Sequence, residues 1–286
     1  MRDSQDGKEP LDANKESLLQ AWQESEHADH LDERARYSLK ELRFAYESFN
    51  EMQLFIKYRD VLSGRNFTEI GCATGELYRY LREYHPDVEY RGFDISDPAI
   101  SRARSKYPEG RFDLCKPDIS DLAESGFSSS LIWSRDVVHH QPDPYAYLRR
   151  LLPLCEEVAI LRLRTRDKGA SVLDPEASCQ WHYNQWVPYI VMNVDEVVDV
   201  IRDSISVSRI EVIKHYIPLG GWGGRYLPKA CYCPETGTAE TAVYIVRSRE
   251  AVTEPEVTIS ARAETTTPPG PPLWLRGLRY ISRQLT

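Results

Sequence analysis

The stretch Phe67-Thr68-Glu69-Ile70-Gly71-Cys72-Ala73-Thr74-Gly75 limits the possible folds of this chain more than any other. An apolar run stops at a glycine turn, and a helical pattern starts at once. Gly71 and Gly75 let the backbone approach a ligand closely and let φ turn positive. The helix starting near Gly75 points its free N–H groups and positive dipole end at that turn. The spacing is Gly-x-Ala-x-Gly, not the Gly-x-Gly-x-x-Gly of dinucleotide folds. Glu69 sits two residues before the first glycine. A carboxylate there suits a cationic amino group and would repel a pyrophosphate. The bland alternative is a βα turn that holds no ligand.

Strand and helix then alternate, which favours a parallel sheet covered on both faces. Leu77, Leu81 and Tyr84 line one helix face, and Pro86 ends that helix. Val88 to Phe93 reads as a second strand, finishing at Asp94. Asp97-Pro98 reads as a cap and first helical residue, with Ile100 and Ala103 behind it. Arg111 to Cys115, Leu131 to Ser134 and Val158 to Leu163 are the third, fourth and fifth strands. Asp143-Pro144 opens the helix between the last two. Val194 to Ile201 reads as helix, and Ser206 to His215 and Thr241 to Val246 as the final strands. In front of all this, residues 17–64 follow helical spacing (Leu42, Tyr46, Phe49; Leu54, Tyr58, Leu62) and stop at Ser63-Gly64. Residues 1–16 are charged and poor in apolar side chains, a composition expected to be disordered.

Two stretches break the alternation. Residues 164–193 carry Gln180-Trp181-His182-Tyr183-Asn184-Gln185-Trp186, too aromatic for disorder, and read as a lid or pocket wall. Gly220 to Tyr226 is a glycine-rich loop with two more aromatics. Residues 248–272 are rich in Thr, Pro and Glu and read as a linker. Residues 273–286 are apolar and basic, a candidate amphipathic segment for a partner or a membrane surface, with docking on its own domain as the plainer reading.

Composition narrows the function. The chain has 286 residues, 41% of them apolar, enough for one large α/β domain with appendages. A net charge of −8 argues against a nucleic-acid partner. The polar first thirty residues do not look like a signal peptide, and no apolar run approaches the roughly 20 residues of a membrane span. Six scattered cysteines suggest reduced thiols in the cytoplasm. Cys231 and Cys233 with Cys179 and His182 are one conceivable zinc set, but their spacing fits no standard pattern, and no metal is expected.

Residues 66–247 resemble the class I S-adenosylmethionine-dependent methyltransferases of small-molecule type, with the Gly71 turn as their first motif and Ala73 in place of its usual middle glycine. The resemblance implies a Rossmann-like sheet of seven mostly parallel strands, helices on both faces, the last strand antiparallel, and an N-terminal helical cap. It implies S-adenosylmethionine as cofactor, held by Glu69, Gly71, Cys72, Ala73 and Gly75 at the first turn. Asp94, nineteen residues after Gly75, matches the acid that takes both ribose hydroxyls. Ile95 would lie against the adenine. Asp118-Ile119 matches the position that accepts from the adenine amino group, although Asp118 also reads as a helix cap. Trp133 to His140 resembles the fourth motif, with Ser134 beneath the methionine arm. Ser130 stands where the family commonly has an acid, at the far end of that strand.

The chemistry implied is in-line methyl transfer from an activated sulfonium, so the protein chiefly aligns the two partners. A hydroxyl acceptor must also lose a proton, and histidine is suited to take it. His139 and His140 are near the required place and His182 is a second candidate; each also reads as a packing residue. Trp181, Tyr183, Trp186, Trp222 and Tyr226 are candidates to wall an acceptor by stacking. The expected acceptor is a hydroxyl of a sugar, phenol or secondary metabolite. The alternatives are N- or C-methylation, a non-catalytic interaction protein that kept the fold, and an NAD-dependent oxidoreductase. The sequence sets no oligomeric state.

Overall fold

The computed structural model describes residues 17–32, 36–182, 185–219, 225–233 and 236–262. The readings of residues 1–16 and 273–286 fall outside these. So do Tyr183, Trp222 and the last part of the linker reading. Of Tyr226 only the backbone is described.

Five helices lead: α1 (Gln20–Gln23), α2 (Ser25–Leu31), α3 (Leu39–Glu47), α4 (Asn50–Lys57) and α5 (Arg59–Leu62). Ser38 and Glu41 form a capping box at the start of α3, satisfying two orphan N–H groups. The alternating part follows as β1 (Asn66–Ile70), α6 (Glu76–Tyr84), β2 (Glu89–Asp94), α7 (Asp97–Lys106), β3 (Arg111–Leu114), α8 (Ser120–Glu124), β4 (Ser129–Arg135), α9 (Pro144–Leu151) and β5 (Cys155–Arg166). Then come β6 (Cys179–His182), β7 (Gln185–Pro188), β8 (Met192–Asn193), α10 (Val194–Ser204), β9 (Val207–Tyr216), β10 (Arg225–Tyr226), β11 (Ala239–Arg247) and β12 (Glu256–Ala261). Asp143 caps α9 as expected, its carboxylate accepting from Ala146 N. At α7 the cap is Ser96, one residue earlier than read, and Asp97 is already helical.

The strands form one sheet in the order β12-β9-β11-β5-β4-β1-β2-β3, with β8 paired to β5. All neighbours run parallel except β11, which is antiparallel to both β5 and β9. The seven expected strands are therefore present, with the expected antiparallel member. The sheet is extended by the short β8 and by β12, which pairs parallel with β9. That corrects the linker reading for Glu256–Ala261: Val257, Ile259 and Thr258 are β-formers, and the free edge of β9 satisfies their backbone.

Strand alternation divides the core. Ile70, Phe93, Ile132, Leu161 and Val243 pack on one face with α8, α9 and α10. Phe67, Tyr90, Trp133 and Ile160 pack on the other with α3, α4, α6 and α7. The 164–193 segment folds β6 and β7 into an antiparallel hairpin, joined by β10 into a separate three-stranded sheet. No helix among the described residues is long and apolar enough to cross a membrane.

Candidate active site

The carboxyl ends of β1, β2 and β4 open into a cavity of about 330 Å³, in the usual range for a ligand site. Its floor is the glycine turn. Gly71 and Gly75 have φ of 87° and 83°. A Cβ on Gly71 would stand 2.3 Å from Val137 Cγ2, so both the turn and the neighbouring loop require glycine there. The amides of Gly71 and Cys72 donate to Phe93 O at 2.8 and 3.0 Å, binding the turn to the end of β2.

Asp94 closes the same corner. Its carboxylate accepts from Ala73 N at 2.8 Å and Ser96 N at 2.9 Å. Burial raises this carboxyl, and those amide bonds offset part of the rise. Glu69 also lines the cavity, with Tyr90 donating to its Oε2 at 2.5 Å. Burial pushes the Glu69 carboxyl up to about 8, against the bond from Tyr90 and the charge of Arg135. Ile95, Cys115, Pro117 and Tyr147 supply a less polar wall.

The fourth-motif loop contributes Arg135, Asp136, Val137, His140 and Gln141. His140 Nδ1 lies 2.7 Å from Pro188 O. A carbonyl only accepts, so Nδ1 carries the proton and Nε2 keeps its lone pair. Burial pushes His140 down to about 4. The cavity roof is made by Leu19, Trp22 and Leu31 of the N-terminal segment and by Gln180 and His182 of the β6 strand. The Trp22 ring centroid lies 4.6 Å from that of His140 and 5.3 Å from that of His182.

Glu69, Gly71, Cys72, Ala73, Asp94, Ile95, His140 and His182 are thus brought together. The structure places the other expected site residues elsewhere. Asp118, one residue before the Ile119 N-cap of α8, is not among the cavity-lining residues; it pairs with Arg150, 3.0 Å away, and accepts from Ser120 N. Ile119 is buried in the core. Ser134 is buried beside its register partners Ile70 and Leu161 and is not among the cavity-lining residues. His139 packs against Tyr189 and does not line the cavity; burial and His140 hold it well below the usual imidazole range. Gly75 acts as the cap of α6 instead of a wall. Trp181 and Trp186 pair with each other across the hairpin, 5.3 Å between centroids, away from the cavity lining. Cys179 packs with Leu18, and Cys231 packs in a separate cluster with Leu219 and Leu227, so they do not form a joint metal set.

A buried charge cluster behind the fourth-motif loop was not anticipated. Arg162 lies 2.6 Å from Glu240, 3.4 Å from Asp136 and 3.5 Å from Glu51. Arg164 lies 3.1 Å from Glu240 and 3.2 Å from Asp136, and donates to Tyr189 Oη at 2.8 Å. Arg135 reaches Glu51 at 3.0 Å and lies 3.8 Å from the Phe49 ring centroid. Burial would raise the Asp136 carboxyl, but these three guanidinium groups outweigh it and hold it well below the usual range. Asp136 is thus a fixed anion, and it sits at φ 58°, a left-handed conformation held by its partners. The signal for this cluster was the alternation Arg162-x-Arg164-x-Arg166 in an otherwise apolar run.

The pattern matches known proteins. Residues 68–161 match the methyltransferase domain family. Most of the chain is similar in structure to magnesium protoporphyrin IX methyltransferase from Synechocystis PCC 6803. With SAM bound, that protein gives a TM-score of 0.51 at 15% identity, covering 82% of this chain and 98% of that one. With SAH bound it gives 0.52 at 14% identity, covering 82% and 100%. Residues 68–161 are therefore a methyltransferase domain, and the chain built around them has the fold of the class I S-adenosylmethionine-dependent methyltransferases.

Proposed function

We propose that this chain binds S-adenosylmethionine in the cavity above the glycine turn and methylates a hydroxyl of a small molecule such as a sugar, a phenol or another secondary metabolite. The observation that carries the reading is the set of groups around one cavity: Glu69, the Gly71–Thr74 backbone, Asp94 and His140.

The donor set suits the cofactor's chemistry. Glu69 offers a carboxylate to an ammonium. Asp94 keeps lone pairs beyond its two amide bonds, as a pair of ribose hydroxyls requires. Ile95, Cys115 and Tyr147 give a flat base apolar contact. When bound, the cofactor supplies a sulfonium whose methyl is already activated.

The protein's part is then alignment and one proton. His140 holds its Nδ1 proton on Pro188 O and presents an unprotonated Nε2, the form able to take the acceptor's proton. Its position on a short turn anchored by Ile190 N to His139 O, 2.8 Å, fixes the ring. The Trp22 roof excludes water from the reacting pair. His182 is the second candidate base, from the opposite wall. Titration calorimetry with SAM and SAH tests the reading; binding of both at micromolar or better affinity is expected, and no heat with no thermal shift refutes it.

A further inference from the structure

Tyr90 does not line the cavity, yet its hydroxyl is aimed at the carboxylate expected to hold the cofactor's amino group. Its hydroxyl donates to Glu69 Oε2 at 2.5 Å, a charge-assisted length. The ring is clamped by Phe67 at 5.9 Å, Tyr78 at 5.2 Å and Phe112 at 5.8 Å between centroids. Glu69 and Gly92 are register partners on β1 and β2, so Tyr90, two residues before Gly92, shares a sheet face with Glu69. Gly92 leaves the room this contact needs, because a Cβ there would stand 2.8 Å from Tyr90 Oη and 2.7 Å from Cys72 Cβ. Sequence, register and packing all converge on this single bond.

We propose that Tyr90 is a positioning residue for cofactor binding: its hydroxyl orients the Glu69 carboxyl group and stabilises the carboxylate that pairs with the ligand's ammonium. The inference rests on the cofactor reading above. Other groups act on Glu69 as well. Arg135 from β4 favours its charge, while Asp94 from β2 disfavours it; the neutral thiol of Cys72 lies close by, and Tyr46 of α3 lies near Tyr90. Tyr90 is bonded to Glu69 directly. Tyr90 itself stays protonated, since burial and Glu69 push its phenol well above 10, so it remains a donor at every working pH. In the free protein burial keeps Glu69 largely protonated below about pH 8. Taking up an ammonium then releases that proton, so affinity rises with pH toward about 8 and falls again as the ligand's own ammonium loses its proton.

The test compares SAH with methylthioadenosine, the same thioether nucleoside without the amino-acid end. In Tyr90→Phe, SAH should weaken about tenfold at neutral pH, the scale of one hydrogen bond to a charged group. The midpoint of its pH dependence should move upward, and methylthioadenosine should bind within about twofold of wild type. Glu69→Gln should abolish the rise with pH and make Tyr90→Phe silent when the two are combined. Equal weakening of both ligands would mean that Tyr90 only packs, and an unchanged SAH profile would mean that its hydroxyl does nothing; either result overturns the inference while leaving the cofactor reading intact. Failure of the wild-type protein to bind either nucleoside would overturn the cofactor reading itself.

Discussion

The floor and the roof of the cavity are built in different ways. The floor is backbone tied to backbone. Gly71, Cys72 and Cys115 all donate to carbonyls of Phe93 and Asp94, and Asp94 ties Ala73 in turn. The roof is side chain against side chain. Helix α2 is fastened to α7 by Asp29 with Arg102 and by Asp32 with Lys106, both at 2.5 Å and partly exposed. Trp22 rests on two imidazoles, and Leu18 meets Cys179 and Trp186 of the hairpin. Partly exposed ion pairs contribute little and open readily, whereas buried ladder bonds open only with the sheet. Changing the floor should therefore harm the fold and cofactor binding together, and changing the roof should alter only access.

The contrast is most easily broken at Gly71. Gly71→Ala places a methyl group against Val137 and forces alanine to a φ of 87°. A loss of about 3 kcal/mol in urea unfolding is expected, with loss of SAH binding. Asp94→Ala should leave a folded protein of lower melting temperature and weaken SAH about a hundredfold in calorimetry, because two amide donors lose their acceptor and the proposed ribose contact goes with it. His140→Ala should keep SAH affinity within about twofold and slow turnover on the order of a hundredfold in a homocysteine-release assay. As the proposed base, His140 would work only when neutral. Burial sets its midpoint near 4, so turnover at saturating cofactor should persist down the acid side and fall only as pH drops through about 4. The smallest effect is expected at the roof. Arg102→Ala combined with Lys106→Ala should lower stability by less than about 1 kcal/mol and remove the salt dependence of SAH affinity. If that double variant were as damaging as Gly71→Ala, the floor and roof would be one structural unit.

The floor was also the part legible in the sequence. Gly71, Gly75, Glu69 and Asp94 each stand at a strand end or in the turn that follows it, where spacing and the family resemblance together pointed to them. The capping residue before α9 was readable from the local Asp143-Pro144 pair. The roof was read as a helical segment and an aromatic insert, but not that Trp22 would lie between His140 and His182. That contact joins residues far apart in the chain, and no local pattern encodes it. Asp118 stayed ambiguous because a carboxylate before a short helix can bond a helix amide as well as a ligand, and its pairing with Arg150 joins residues far apart in the chain. Ser134 and His139 were assigned by nearness in sequence to the loop, whereas strand alternation and the following turn direct them inward. The β12 strand was hidden in a Thr- and Pro-rich composition, and its pairing depends on a β9 edge that exists only once the sheet has formed.

The charge cluster behind the fourth-motif loop limits how acceptor preference can be altered. Arg135, Arg162 and Arg164 are matched there by Glu51, Asp136 and Glu240, with little water to absorb a mismatch. Deleting any one of the six strands a counter-charge in the interior, so this wall can diverge only by exchanging partners together. Gln180 and His182, standing on the separate hairpin outside that network, can be varied one at a time, which makes the hairpin the natural place to retune the enzyme for a different acceptor.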